Sequence, residues 1–367
     1  MSTHSNGHAS GHLDGSLSGQ KRIRVLIVED TRVVAEFLTA LLRSDPRIDV
    51  VGVAIDGEAA IEATNRLNPD VITMDINMPK MNGFEATRRI MEGRPAPIVI
   101  VCGGLSANEV AINFHALEAG ALAVVARPSG VGAIDHDSST RELIDTVKLM
   151  SEVRVVRRWP KNKVPALTTP AVEIPRSANG IDVIAIGAST GGPAALQTIL
   201  AGLPKDFSFP ILIVQHMTSG FVQGFVDWLA RASGFPVQVA NEGDVLEPGH
   251  AYVAPDNFHM GVGRDNRVLL TRHFKNDHLR PSVAYLFESV ERVFGSRVVG
   301  VLLTGMGRDG VDELKRLKDA GAITVAQDAV SSVVHGMPGE AISIGAAQHV
   351  LSPQAIARTL ATLTVRS

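Results

Sequence analysis

The sequence predicts an α/β protein built from two doubly wound domains, and three observations carry that expectation. Short apolar runs alternate with amphipathic helical patterns from Ile23 onward, and the alternation starts afresh at Ile181. Between the two series, Arg154 to Gly180 carries Pro160, Pro165, Pro170 and Pro175 among basic and small residues, which is linker composition. The length of 367 residues accommodates two domains at about 150 residues each. The expected division is a polar tail over 1–20, a first domain over 21–150, a linker over 151–180 and a second domain over 181–367.

The tail is rich in Ser, Gly and His, and its glycines and serines oppose the helix that could gather His4, His8 and His12 around a metal; disorder is expected there. Strands follow at Ile23–Val28, Val50–Ala54, Val71–Met74, Ile98–Val101 and Ala123–Ala126, with helices between them, among them Val33–Leu42. That pattern reads as a flavodoxin-like sheet of five parallel strands, closed by a last helix over Thr140–Val153. In the second, mostly parallel α/β domain, buried strands are expected at Asp182–Ile186, Ile211–Val214 and Val298–Leu303.

Composition removes several function classes. A net charge of −3 gives no electrostatic reason to expect nucleic acid as a partner. The single cysteine, Cys102, excludes an intrachain disulfide framework and suits a reducing cytosol. No apolar run approaches the ~20 residues needed to cross a bilayer, and the polar start lacks a signal-peptide core. A cytoplasmic protein without membrane insertion is expected.

In the first domain, Glu29 and Asp30 close the first strand and Asp75 closes the third. In a doubly wound sheet these ends share one edge, where ligands bind. Three carboxylates there repel one another unless a cation neutralises them, and hard oxygen ligands suit Mg²⁺. The segment Val71-Ile72-Thr73-Met74-Asp75-Ile76-Asn77-Met78-Pro79-Lys80-Met81-Asn82-Gly83 resembles the phosphoacceptor segment of bacterial response-regulator receiver domains. The resemblance covers roughly Arg22 to Lys148. It implies phosphorylation of Asp75 by a histidine kinase, with Mg²⁺ held by Glu29, Asp30, Asp75 and the backbone carbonyl of Asn77. Three switch positions depart from the receiver pattern: Cys102 stands where Ser or Thr is usual, Val124 where an aromatic is usual, and Arg127 where Lys precedes a proline. A thiol is a weak donor, and arginine keeps the charge without the compact ammonium.

In the second domain, Gly187-Ala188-Ser189-Thr190-Gly191-Gly192 joins an apolar strand to a helix with Pro193 in its first turn. Such a turn binds phosphate, closes a chain reversal, or exposes a serine nucleophile in Gly-x-Ser-x-Gly spacing. The Gly-Lys-Ser/Thr ending of an NTPase loop is absent, as is Gly-x-Gly-x-x-Gly. Two further residues decide between the readings. His216 follows Ile211–Val214 and Asp309 follows Val298–Leu303, so Ser189, His216 and Asp309 lie past three strand ends, at one edge of a parallel sheet. Alone, His216 reads as a core histidine and Asp309 as the cap of a helix starting near Gly310. Together they form the constellation in which histidine takes the serine proton and the acid orients the imidazole. The rival bases His259, His273, His278 and His335 terminate no such strand, and no zinc-binding pattern is present. No cofactor is expected for this chemistry.

The order serine, histidine, acid differs from that of α/β-hydrolases. The segments Gly187–Pro193, Gln215-His216-Met217, Ala254-Pro255, Arg280–Val283, Thr304–Gly310, Ala326–Asp328 and Gly336–Pro338 closely resemble the catalytic domain of protein-glutamate methylesterases of bacterial chemotaxis, the CheB family. This resemblance covers about Ile181 to Leu363, and the order receiver, linker, esterase matches the family. It implies hydrolysis of γ-glutamyl methyl esters on methyl-accepting chemoreceptors with release of methanol, and deamidation of receptor glutamines. It further implies Ser189 as nucleophile, His216 as base then acid, Asp309 as its orienting partner, and Thr190 in support. Backbone N–H groups near Met306 and His216 are the implied oxyanion donors. The atypical switch residues leave two alternatives open: an esterase independent of phosphorylation, and a signalling adaptor that binds receptor or kinase.

Overall fold

The computed structural model describes residues 21–103, 107–130, 132–133, 136–153, 155, 180–274 and 279–363. The expectations for the histidine-containing tail, most of the linker and His278 lie outside these residues.

The first unit alternates β1 (Ile23–Val28), α1 (Arg32–Arg43), β2 (Ile48–Ala54), α2 (Gly57–Leu67) and β3 (Val71–Met74). It continues through α3 (Gly83–Gly93), β4 (Ile98–Cys102), α4 (Ala107–Ala119), β5 (Ala123–Ala126) and α5 (His136–Ser151). All pairings are parallel, in the order β2-β1-β3-β4-β5. Val25, Ile27, Val99 and Val101 face one side and Leu26, Ile72, Ile98 and Ile100 the other, so both faces are sealed by helices. The order reverses at β1, whose end carries Glu29 and Asp30 beside Asp75 at the end of β3.

The loop after β3 is fixed by sterics. A Cβ on Gly83 would lie 2.1 Å from the Asp75 carbonyl oxygen, so only glycine lets α3 start this close to the acid. Asn82 caps the same helix, its side chain accepting from the Glu85 N–H at 3.0 Å. Helix α5 begins at His136, earlier than the expected Thr140, because the polar run Asp137-Ser138-Ser139 serves as its first turn with an acid near the positive helix end.

The second unit contains β6 (Val183–Ala188), α6 (Gly192–Ala201), β7 (Ile211–Gln215), α7 (Val222–Ser233), β8 (Val237–Val239), β9 (Ala251–Val253) and the antiparallel pair β10 (His259–Val262) and β11 (Val268–Thr271). It ends with α8 (Val283–Phe294), β12 (Val298–Leu302), α9 (Val311–Asp319), β13 (Ile323–Gln327), α10 (Met337–Ser343), β14 (His349–Leu351) and α11 (Pro353–Ala361). Its sheet runs β14-β13-β12-β6-β7-β9-β8, with every pairing parallel. The strands are uninterrupted apolar runs, as burial on both faces requires. β6 is the switch point, with β7 on one side and β12 on the other. The crevice beyond its carboxyl end is therefore where a ligand binds.

The two units meet along α4 and α7. Phe114 of α4 is 3% exposed and stacks on Trp228 with ring centroids 5.5 Å apart. Phe225 and Phe221 lie 5.4 and 6.4 Å from the same ring. Trp228 Nε1 donates to Glu118 Oε1 at 3.2 Å, so the one polar edge of the cluster is satisfied. A second contact joins α5 to the loop after β7: Thr218 Oγ1 donates to Glu142 Oε1 at 2.6 Å.

Candidate active site and phosphorylation pocket

Ser189, His216 and Asp309 each follow a strand of the central trio. Ser189 sits past β6 on the turn into α6, with its backbone N–H donating to the Thr304 carbonyl at 3.0 Å. His216 follows β7, and its Nε2 lies 2.9 Å from Asp309 Oδ2. Asp309 lies in the loop between β12 and α9.

The Asp309 carboxylate is held at the amino end of α8. It accepts from the Val283 N–H at 2.6 Å, the Ala284 N–H at 3.0 Å and Ser282 Oγ at 2.9 Å, besides His216. Ser282 also caps α8, so one hydroxyl serves both helix and acid. Burial pushes the Asp309 carboxyl up. The hydrogen bond and charge of His216, with the two amide N–H groups, outweigh that and hold it below its ordinary value. An ionised acceptor fixed in this way sets the imidazole tautomer with the proton on Nε2 and leaves Nδ1 for the serine.

Thr190 lies beside Ser189, and its carbonyl accepts from Thr304 Oγ1 at 2.9 Å. The loop carrying Met306 approaches Ser189 closely: a Cβ on Gly305 would stand 2.6 Å from Ser189 Cβ. The expectation for His216 as an oxyanion donor does not hold. Its backbone N–H donates to the Ala188 carbonyl at 2.9 Å, because the β6–β7 ladder runs one residue past the strand. The backbone N–H groups of Thr190 and Met306 make no hydrogen bond among the described residues. Of the rival histidines, His259 is fully buried on β10 against Phe274 and Tyr285. His335 pairs with Gly305 and contacts Ser332.

The first unit covers this edge. One cavity is lined by Ser189, Thr190, Gln215 and His216 on one side and by Leu122, Val124, Glu142 and Thr146 on the other. Burial pushes the Glu142 carboxyl up, and the Thr218 hydrogen bond only partly counters it. Sequence reasoning missed Glu142 and the Ala284 donor, and it took Gln215, Ser282 and Val283 only as parts of longer segments, without a role for each. The Ser282 cap was the one local signal.

At the first unit's edge, Glu29, Asp30 and Asp75 each offer a carboxylate oxygen within 4.8 Å of the others. Glu29 is 4% exposed, and burial followed by repulsion from Asp75 raises its carboxyl. Burial also raises Asp75, against N–H groups of Ile76 and Asn77 that stabilise its charged form. Clustered, half-desolvated carboxylates of this kind fit a hard divalent cation. The positive charge of Arg127 acts on both Glu29 and Asp75. Cys102 is buried at the end of β4 and accepts from Asn113 Nδ2 at 2.6 Å. Val124 faces the second unit rather than solvent.

Comparison with known proteins was made against this geometry. Residues 25–137 match the response regulator receiver domain, and residues 184–360 match the CheB methylesterase family. A protein-glutamate methylesterase/protein-glutamine glutaminase of Geobacter metallireducens is 54% identical over 348 residues, covering 94% of this chain and 99% of the relative. One from Syntrophus aciditrophicus is 55% identical over 344 residues, covering 93% and 98%. The crystal structure of the Thermotoga maritima CheB methylesterase catalytic domain matches at 35% identity with a TM-score of 0.48, over 50% of this chain and 98% of that one.

Proposed function

The chain belongs to the receiver-linked CheB methylesterase family, and from that membership we propose that it hydrolyses γ-glutamyl methyl esters of chemoreceptors through Ser189, His216 and Asp309. The observation that carries the reading is the 2.9 Å contact between His216 Nε2 and Asp309, beside a serine on the adjoining strand end.

The steps follow from the donors and acceptors available. Ser189 Oγ attacks the ester carbonyl carbon while its proton passes to His216 Nδ1, the nitrogen not engaged by Asp309. The tetrahedral oxyanion takes hydrogen bonds from the Thr190 and Met306 N–H groups, which make no other hydrogen bond among the described residues. Collapse expels methoxide, which takes the proton from Nδ1 and leaves as methanol. Water, deprotonated by the same nitrogen, then cleaves the glutamyl-serine ester, yielding glutamate and free Ser189. With receptor glutamine the leaving group is ammonia and the acyl-enzyme is the same.

The receiver governs access. A receptor segment reaches Ser189 only when the wall formed by Leu122, Val124, Glu142 and Thr146 withdraws. Asp75 is the phosphoacceptor, with a histidine kinase as donor. Glu29, Asp30, Asp75 and the Asn77 carbonyl would hold Mg²⁺, whose charge neutralises phosphoryl oxygens. Arg127 supplies a second positive group on the same side. The departures at Cys102, Val124 and Arg127 bear on gating and leave the esterase chemistry intact. No helix among the described residues is long and apolar enough to cross a membrane.

A fluorophosphonate tests the site directly. Mass spectrometry is expected to locate the adduct on Ser189, with labelling lost in His216→Ala. An adduct on another residue, or labelling indifferent to His216, refutes the assignment.

A further inference from the structure

Gln215 closes β7 one residue before His216 and is 3% exposed. Its Nε2 donates to two backbone carbonyls, that of Ser189 at 2.9 Å and that of His216 at 2.8 Å. Both acceptors are carbonyls, so the amide orientation is determined: the flipped form would set an oxygen against two oxygens. The Ser189 carbonyl accepts a second hydrogen bond from the Gly192 N–H at 2.8 Å.

The other end of the amide is unusual. Gln215 Oε1 is buried without a donor among the described residues, and a Cβ on Gly192 would lie 2.1 Å from it. Glycine at this position therefore leaves the room the amide needs. The unmatched Oε1 offsets part of what the two Nε2 hydrogen bonds contribute to stability, so the net gain in stability is not what sets this carboxamide apart. Its geometry instead serves the two loops it joins.

We propose that Gln215 is a positioning residue for the esterase reaction: its single amide group ties the backbone carrying the nucleophile to the backbone carrying its base. The strand ladder holds these segments only as far as the His216 N–H to Ala188 carbonyl bond. Past that bond, the Gln215 amide bridges the Ser189 and His216 carbonyls directly, so a shift of the amide moves the serine relative to its base. Proton transfer between such atoms is sensitive to displacements of about 1 Å, which cost on the order of 100-fold in rate. This inference rests on the assignment of Ser189 and His216 above.

The test uses full-length protein with Gln215→Met, which keeps length and bulk but removes the donor, and Gly192→Ala, which keeps Gln215 but sets a methyl 2.1 Å from its Oε1, and 2.8 Å from the Ala188 Cβ, so that the amide must move. Methanol release from methylated receptor gives kcat and KM, and thermal melting reports folding. Expected for both variants is a fall in kcat of about 10- to 100-fold, with KM and the activation by a phosphoryl donor unchanged. The double variant is expected to be no slower than Gln215→Met alone, since both changes break one tie. Full additivity, a folded Gln215→Met with kcat within threefold of wild type, or a loss expressed in KM overturns the proposal. Where Gln215→Met does not fold, Gln215→Asn, too short to span both carbonyls, is judged by the same kcat and KM criteria. Ser189→Ala run alongside separates the two readings: substantial activity there sinks the nucleophile assignment, whereas an inactive Ser189→Ala with an undiminished Gln215→Met sinks only the positioning role.

Discussion

Replacing Phe114 with alanine is expected to turn the unphosphorylated enzyme on. The ring belongs to the receiver, yet it is buried against Phe221, Phe225 and Trp228 of the esterase, at centroid distances of 6.4, 5.4 and 5.5 Å. Burying a phenylalanine side chain is worth ~1.5–3 kcal/mol. If ~2 kcal/mol of that is gained only when the units are closed, its loss shifts the closed–open equilibrium by roughly 30-fold toward open, at 1.4 kcal/mol per decade. The assay is methanol release by unphosphorylated Phe114→Ala. Its basal rate should rise by about that factor, or until the phosphorylated wild-type rate is reached, and the activation ratio should shrink correspondingly. A basal rate unchanged in a folded variant would refute the inference that this contact holds the site shut.

Other outcomes follow from the same structure. Asp309→Asn presents an amide where four donors now converge, so the imidazole loses its orienting acceptor, and kcat should fall about 10³–10⁴-fold with the fold retained; a loss under tenfold counts against the triad. Glu29 and Asp75 have raised carboxyl pKa values when folded, so the metal-free receiver binds protons more tightly than the unfolded chain and loses stability as pH rises through those values. Mg²⁺ should therefore raise the melting temperature most at neutral and higher pH and least in acid, and Asp75→Asn should weaken the effect; calorimetry showing no Mg²⁺ dependence at neutral pH would reject the cation site. Glu142 is likewise raised in the closed form, so that form is favoured at lower pH and weakens as pH rises above the usual carboxylate range. Glu142→Gln should remove this part of the pH dependence of basal methanol release, and an unaltered profile would show that burial of the Glu142 carboxyl does not contribute.

Much of this architecture is written locally. β1, β3 and β5 follow from their apolar runs to the residue, and Ser189, His216 and Asp309 follow from what lies just past three such runs. Parallel strands buried on both faces are contiguous in sequence, which is why they are legible. What the chain does not announce is which residue meets which across long separations. Phe114 and Trp228 each read as ordinary core positions of amphipathic helices, and only folding shows that they belong to different units facing each other. Ser282 carries a cap signature, accepting from the Tyr285 N–H, but the group its hydroxyl donates to, Asp309, lies 27 residues away. Gln215 is legible only as part of the Gln215-His216-Met217 segment, and nothing local gives its amide a role. The His216 N–H, expected at the oxyanion, was misjudged because ladder bonding continues past the last residue of a strand by an amount that depends on the neighbour's register.

The account stands most directly on Ser189. Methanol release from methylated receptor, measured after treatment with a phosphoryl donor so that gating is removed, should drop in Ser189→Ala by several orders of magnitude, to the level left by the oxyanion donors and binding alone. A folded Ser189→Ala that releases methanol within a few-fold of wild type would contradict the central claim that this serine, served by His216 and Asp309, is the nucleophile.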